Sequence, residues 1–284
     1  MTYASILAVL TGAPDDAVTL SAAAQFVRGR SGEVRAVLAL PTIPPLLFSD
    51  GMSGGYVSPE VIDLLHQGND QARLHTEALV HATSQREGLD LHKNGGRIVL
   101  LPEQPNVEMV MLAETPLCDL VMVAQSTFRS MGIWSGLVST ALMQARVPFY
   151  VVRRVASETG VVTIAWDGSQ AAGRAVRAAM PLLSSASKVV LFQDPDHINS
   201  THRLAADLDR LSDYLKLHGV KNIHLVIQSG LSRGDGLGAA ARQARADVLI
   251  AGAFSHARAM EALFGGTTEE LLESMSEFNL LLAH

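Results

Sequence analysis

Short apolar runs alternate with helical segments along the whole chain, and the series occurs twice, with a period of about 155 residues. The predicted strands are Ser5 to Leu10, Glu33 to Leu40, Arg97 to Leu101, Asp119 to Ala124, Phe149 to Arg153, Val161 to Trp166, Lys188 to Gln193, Asn222 to Gln228, Asp247 to Ala251 and Asn279 to Ala283. Such alternation is typical of doubly wound sheets. We therefore expect an α/β fold of two tandem parallel sheets, each with five strands.

Helical segments fill the intervals between these strands. They are Ala17 to Gly29, Ser58 to Gly88, Val107 to Glu114, Gln170 to Ser184, His202 to His218 and Leu237 to Arg245, with one more helix before the last strand of each half. A short polar link after Arg154 predicts domains of residues 1–155 and 156–284. Ligands of such sheets bind beyond the carboxyl ends of the strands, where the strand order reverses, so the first and fourth strands of each half should flank a crevice.

Composition excludes several classes of function. No apolar run approaches the roughly 20 residues of a membrane span, and the first residues lack a basic leader and a cleavage site. The chain is therefore expected to be cytoplasmic, without a membrane partner. Cys118 is the only cysteine, so a disulfide within the chain is impossible. The net charge of −6 gives no basic surface for a nucleic acid partner.

The stretch that follows the strand at Asp247 is rich in small residues. Gly252 ends the apolar run, and Gly265 and Gly266 stand directly before Thr267 at the predicted start of a helix. Free backbone N–H groups and the positive end of a helix dipole favour anions, and glycines let the anion come close. This loop is a candidate anion site, with His256 as a nearby source of positive charge.

The spacing of these residues resembles that of the universal stress protein family. The family has a glycine, two residues, a second glycine, nine residues, and a glycine followed by serine or threonine. Here Gly252, Ser255, Gly265 and Gly266 keep the spacing, but Ser255 replaces the second glycine and Gly266 stands where the hydroxyl belongs. The resemblance implies an adenine nucleotide alpha hydrolase-like fold. It also implies pairing through the last strands, so the tandem chain would be a dimer fused into one polypeptide.

The resemblance also implies a nucleotide site in the second half, where the loop from Ala251 onward would wrap phosphates and ribose. Asp167 matches the aspartate that meets the adenine end, although an Asp-Gly-Ser sequence also forms a helix-start turn without any ligand. Trp166 either stacks on a base or packs, and packing is the favoured interpretation. Phe192 falls where the second strand offers backbone groups to the base.

The first half departs from the family pattern. Thr11 and Gly12 stand where the second half has an aspartate, and Ala124 to Thr127 replace the glycines after the fourth strand. We do not expect this half to bind ATP in the family's manner. An apolar, glycine-bearing insertion from Pro41 to Pro59 is predicted to be a lid for another ligand over the first crevice, an interface or, more commonly, a linker packed on its own domain.

These observations favour a stress-response protein that binds ATP or AMP in its second half and acts as a switch without catalysis. No catalytic residue and no metal ligand is predicted, apart from Mg²⁺ that accompanies a nucleotide, and at most weak ATP hydrolysis is expected. A homodimer of the tandem chain is possible. The alternative is a scaffold or interaction protein that has lost nucleotide binding and holds another small ligand in the first half.

Overall fold

The computed structural model describes residues 2–40, 59–89, 96–102, 106–129, 144–230, 233–253 and 278–284. The elements of the first half, in chain order, are β1 (Ser5–Leu10), α1 (Asp16–Val27), β2 (Glu33–Leu38), α2 (Pro59–Glu87), β3 (Arg97–Leu100), α3 (Val107–Glu114), β4 (Leu120–Ala124), α4 (Ser126–Arg129) and β5 (Phe149–Val152). The insertion from 41 to 58 and the predicted closing helix around 130–143 lie outside the described residues.

The second half repeats the plan. Its elements are β6 (Val161–Ala165), α5 (Gln170–Ala178), α6 (Met180–Ser185), β7 (Lys188–Gln193), α7 (Leu208–Leu217), β8 (Ile223–Ile227), α8 (Arg233–Gln243), β9 (Val248–Gly252) and β10 (Asn279–Ala283). Residues 254–277, including the predicted closing helix, lie outside the described part of the chain.

All ten strands form one sheet, in the order β3-β2-β1-β4-β5-β10-β9-β6-β7-β8. The strands run parallel within each half, as predicted, and the two halves join where β10 pairs antiparallel with β5. The two five-stranded sheets are therefore continuous, with the halves paired through their last strands. The strand order reverses between β1 and β4 in the first half, and between β6 and β9 in the second. The boundary at 155/156 stays a prediction.

Successive strand residues are buried on opposite faces of the sheet, because side chains alternate along a strand. Ile6, Ala8 and Leu10 of β1 belong to the hydrophobic cluster on one face, and Leu7 and Val9 to the cluster on the other. Both clusters contain residues of both halves. Helices cover both faces, so the sheet has the three-layer architecture of doubly wound folds.

Asn279 lies at the junction of the halves and is fully buried. Its amide nitrogen donates to the Tyr150 hydroxyl and to the Arg154 carbonyl, each at 3.0 Å. Its amide oxygen accepts the backbone N–H groups of Arg153 at 2.8 Å and Arg154 at 3.1 Å. One side chain of β10 thus satisfies the backbone that leaves β5, where a buried unpaired group would cost stability.

Three helices differ from the sequence-based expectation at their ends. The predicted helix from 170 to 184 is divided at Ala179, and Pro181 occupies the first turn of α6. The predicted helix from 202 to 218 begins at Leu208, because the Asp207 side chain accepts the N–H groups of Asp209 and Arg210 and caps the helix there. The predicted helix from 237 to 245 is α8, which begins four residues earlier.

Among the described helices, none combines the length and the apolar character that a membrane crossing requires.

Candidate functional site

The candidate site lies at the carboxyl ends of β6 and β9, which are neighbours in the sheet. Between these strands the order reverses, and ligand crevices of open α/β sheets form at such points. Of the ten residues predicted for this site, the structure describes Trp166, Asp167, Phe192, Ala251 and Gly252. The other five, Ser255, His256, Gly265, Gly266 and Thr267, lie outside the described residues.

Asp167 follows β6 and forms the turn that leads into α5. Its Oδ1 accepts the backbone N–H of Ser169 at 2.9 Å, and the Ser169 hydroxyl in turn accepts the N–H of Ala172 at 3.1 Å. These bonds are the helix-start turn and N-cap predicted as the ligand-free role of this sequence. Asp167 is only half-buried, and Oδ2 accepts no hydrogen bond within the described part of the chain. This oxygen is available to an amine or a hydroxyl.

Trp166 and Phe192 are engaged in the sheet and the core. The backbone N–H of Trp166 donates to the Phe192 carbonyl at 2.9 Å, so this carbonyl already has a partner within the sheet. The Trp166 ring packs against the core, and its indole nitrogen is buried without a hydrogen-bond partner among the described residues. The Phe192 side chain is fully buried. Trp166 therefore packs on the core, and its stacking on a base stays a prediction.

Gly252 is a glycine because there is no room for a side chain. A Cβ there would lie 2.5 Å from the backbone nitrogen of Ala172 and 2.9 Å from the carbonyl carbon of Ala171. Gly252 does not have a positive φ, so its backbone conformation does not require a glycine. The reason for this glycine is the close approach of α5 to β9. Ala251 is buried beside it and pairs with Leu282.

Gly168 allows the chain between β7 and α7 to pack against the Asp167 turn. Its φ is +75°, and a Cβ would lie 2.6 Å from the nitrogen of Ala206. Gln193 holds the same contact, because its side-chain nitrogen donates to the Ala206 carbonyl at 2.6 Å. One wall of the crevice is therefore fixed by backbone contacts rather than by exchangeable side chains.

The first half has a turn at the equivalent place but takes its carboxylate from a different residue. Asp16, in the first turn of α1, is fully buried and reaches back to the N–H of Thr11 at 3.0 Å and of Gly12 at 2.7 Å. Burial, helped by the nearby Asp15 carboxylate and opposed by the backbone N–H groups, raises the pKa of Asp16 to about 7. Sequence analysis missed Asp16, although acidic residues at a helix start are the pattern that could have identified it.

Gly12 is in close contact with α2. Its φ is +79°, and a Cβ there would lie 2.7 Å from the Cβ of Ala72. The hydroxyl of Ser126, just after β4, donates to Asp15 at 2.9 Å. In this crevice the polar groups at the strand ends bond to one another, so the described residues leave few groups open to a ligand.

Other reactive groups are sparse in the described residues. No group of three or more histidine, cysteine, aspartate or glutamate side chains within them could hold a metal ion. Burial raises the pKa of the Cys118 thiol to about 11, and its Sγ donates to the Leu120 carbonyl at 3.0 Å. A thiol in this state is a weak nucleophile at neutral pH.

This chain resembles known proteins in structure, but no match is found by sequence. No protein-family model matches the chain, and no curated protein matches it. A universal stress protein from Archaeoglobus fulgidus is similar in structure, with a TM-score of 0.67 at 15% identity, covering 98% of this chain and 95% of that one. A putative universal stress protein from Pseudomonas aeruginosa gives 0.57 at 15% identity over 99% and 93%.

The same fold is found in a further protein. The cytoplasmic domain of a prokaryotic cation chloride cotransporter matches with a TM-score of 0.55 at 11% identity, covering all of this chain and 96% of that domain. At these identities the likeness concerns the fold. Because it extends over nearly the whole length of each chain, the tandem arrangement is shared, and the chain has the fold of the universal stress proteins.

Proposed function

We propose that this protein is a cytoplasmic stress-response protein that binds an adenine nucleotide, ATP or AMP, at the second-half crevice. The observation that carries the proposal is the half-buried Asp167 at the reversal of strand order, with one carboxylate oxygen free of partners in the described part of the chain. Ligands of open α/β sheets bind at this position. A carboxylate there can accept a hydrogen bond from the adenine amino group or a ribose hydroxyl.

The turn around Asp167 is rigid before any ligand arrives. Oδ1 of Asp167 accepts the N–H of Ser169, and Gly168 packs against Ala206. These contacts fix the orientation of the carboxyl group and therefore the position of Oδ2. Preorganisation of this kind lowers the entropy that a binding group loses on association. The phosphates would then be held by the segment from Ser255 to Thr267, with Mg²⁺ bound only as the nucleotide's companion.

In this proposal the protein acts as a switch rather than an enzyme. Nucleotide binding would change the surface beside the second crevice, as ligand-ordered segments do in other switches. The first half would serve as the partner that continues the sheet and not as a second ATP site, because Asp16 already takes the N–H groups of Thr11 and Gly12.

The proposal is tested by identifying any ligand released from the purified protein by mass spectrometry, followed by calorimetric titration with ATP and AMP. We expect about one site per chain, weakened at least tenfold by Asp167→Ala, a loss of about 1.4 kcal/mol. Asp167→Asn keeps an oxygen for Ser169 and removes the charge, so it separates the turn from the contact with ligand. Thr11→Ala, at the equivalent position of the first half, is the matched control and should bind as wild type.

Absence of heat with either nucleotide, or equal weakening by Thr11→Ala and Asp167→Ala, would overturn the proposal. The second candidate, a scaffold or interaction protein without nucleotide, would then be preferred. The observation that favours it is the closed first-half turn, where Ala72 and Asp16 occupy the space and the N–H groups beside Gly12. The structural likeness to a cytoplasmic domain of a transporter agrees with such a role.

A further inference from the structure

The two outer strands of the sheet differ in how they are covered. β3 contacts α1 and α2, its Ile98 is buried, and Arg97 is paired with Glu33 of the neighbouring strand. β8 makes extensive contact only with β7 among the described elements. Its side chains are exposed on both faces of the sheet, since Leu225 is 43% exposed, Val226 38% and Ile227 63%.

The hydrogen bonds of β8 show which of its backbone groups have no partner in the part of the chain that the structure describes. The carbonyl of Asn222 accepts the N–H of Val189, and the N–H of Gln228 donates to the Gln193 carbonyl, so even-numbered residues face β7. In a parallel pair, alternate residues face each neighbour. The N–H and C=O groups of Ile223, Leu225 and Ile227 therefore point away from β7, along the open edge.

Natural edge strands are usually protected by charges, prolines or bulges. β8 has none of these within Ile223–Ile227, and His224 is its one titratable residue. A regular, apolar and uncharged edge strand is a template for a further strand, because its row of donors and acceptors is already aligned.

We propose that β8 pairs antiparallel with β8 of a second copy of this chain, with the two-fold axis beside Leu225. This register pairs Leu225 with Leu225 and Ile223 with Ile227, so every outward-facing residue of the strand meets an outward-facing residue of the other. Each such pair exchanges two backbone hydrogen bonds. A register displaced by one residue would place outward-facing residues opposite residues that face β7, and one displaced by two would leave an outward-facing residue beyond the end of the opposite strand.

Charge complementarity supports a second copy as the occupant. Lys221 lies just before β8, beyond Asn222, whose φ is +53°, and Gly230 lies just after β8, where its N–H donates to Asp196 Oδ2 at 2.9 Å. Because the paired strands are antiparallel, Lys221 of one copy lies at the end of the pairing where Gly230 and Asp196 of the other copy lie. Lys221 and Asp196 are both exposed, and Lys221 has no ion-pair partner among the described residues. The two-fold axis makes this pairing twice, once at each end of the paired strands, so the second copy brings opposite charges together on both sides of an apolar centre.

The test measures association of the full chain by sedimentation velocity across the micromolar range. We expect a concentration-dependent dimer whose dissociation constant rises at least tenfold, or about 1.4 kcal/mol, in Leu225→Lys, because two lysines then face each other across the axis. Leu225→Glu should have the same effect, and an equimolar mixture of the two variants should dimerise again. Leu117→Lys, at another exposed leucine in the first half, is the matched control and should dimerise as wild type.

The mixture distinguishes the register from a general loss of stability, because two misfolded variants would not restore each other. Lys221→Glu should weaken the dimer by a smaller factor, and added salt should then strengthen the remaining association, because it screens the repulsion between the introduced carboxylate and Asp196. A monomeric wild type, a dimer that Leu225→Lys leaves intact, or a mixture that stays monomeric would each overturn the proposal. None of these outcomes depends on nucleotide binding, so this inference and the proposed function can fail separately.

Discussion

The two halves use the same frame around their first strands but differ in the residue that supplies the carboxylate. The N–H of Asp119 donates to the Ser5 carbonyl, and the N–H of Asp247 to the Val161 carbonyl. Seven residues after each of these acceptors stands a glycine of positive φ, Gly12 or Gly168. The turn after β1 and the turn after β6, where the halves differ, can therefore be aligned by structure as well as by sequence.

In this alignment Thr11 takes the place of Asp167, and Asp16 that of Ala172. The first half has its carboxylate buried on the helix, bonded to the backbone of its own turn. The second half has its carboxylate at the strand end, half-buried and with one oxygen that accepts no hydrogen bond from the described residues. A carboxylate on the helix thus bonds to the backbone of its own turn, whereas one at the strand end keeps an oxygen for a ligand. The repeated frame therefore does not by itself create a ligand site.

The largest expected effect comes from the buried carboxylate of the first half. Since the folded pKa of Asp16 is about 7 and the ordinary value of an aspartate is 3.8, the unfolded chain ionises first as the pH rises, so stability falls between about pH 4 and 7. A pKa difference of this size is worth on the order of 4 kcal/mol. Asp16→Asn keeps an acceptor oxygen and should remove this fall, measured by urea unfolding from pH 4.5 to 8.5.

The matched control for removing one negative charge is Asp213→Asn, on the exposed face of α7. If the profiles of Asp16→Asn and wild type run parallel across this range, the carboxyl group of Asp16 is not held in the protonated state by burial, and the contrast between the two crevices loses its electrostatic part.

The next prediction compares Gly12 and Gly168, the aligned glycines of the two turns, which both have positive φ. Gly168→Ala places a Cβ against the backbone of Ala206, whereas Gly12→Ala places one against the small side chain of Ala72. Both pay the left-handed cost of about 1 kcal/mol, and overpacking adds about 1 to 3 kcal/mol where backbone must move. We expect Gly168→Ala to lose about 3 kcal/mol of unfolding free energy and Gly12→Ala less.

A double variant separates strain from crowding. Ala72→Gly removes the atom that the new Cβ meets, so Gly12→Ala with Ala72→Gly should show a favourable coupling in a double-mutant cycle. Additive losses in the cycle would mean that the close approach of α2 does not determine the residue at position 12.

Most of this fold could be predicted from the sequence, because strands buried on both faces appear as short apolar runs. All ten strands lie within two residues of the predicted ends, whereas helix ends depend on caps such as Asp207 and moved by up to six residues. The pairing of β5 with β10 followed only from the family resemblance. The burial of Asp16 and the contact of Gly252 with Ala172 could not be predicted, since both depend on tertiary packing.

A smaller effect is expected at the acidic residues that directly precede β4 and β9. Asp119 accepts the N–H groups of Ala4 and Ser5 but is exposed, so water can replace it. Asp247 accepts the N–H of Val161 and the guanidinium of Arg154, and its side chain is only 16% exposed. Asp247→Ala should cost about 2 kcal/mol and Asp119→Ala about 0.5 to 1 kcal/mol in thermal or urea unfolding. Equal losses of unfolding free energy in the two variants would show that the carboxylates of Asp119 and Asp247 are equally solvated.

The smallest expected change in stability is at the residue on which the ligand proposal depends. Asp167→Ala removes one hydrogen bond from a half-buried turn, which is worth about 0.5 to 1 kcal/mol, while the Ser169 cap of α5 remains. Thr11→Ala, its counterpart, removes no hydrogen bond that its side chain makes with the described residues and should change stability by less. Since both variants stay folded, a difference in nucleotide affinity between them would reflect the open carboxylate oxygen. A loss above about 3 kcal/mol for Asp167→Ala would instead place this carboxylate, like Asp16, among the groups that hold its own turn together.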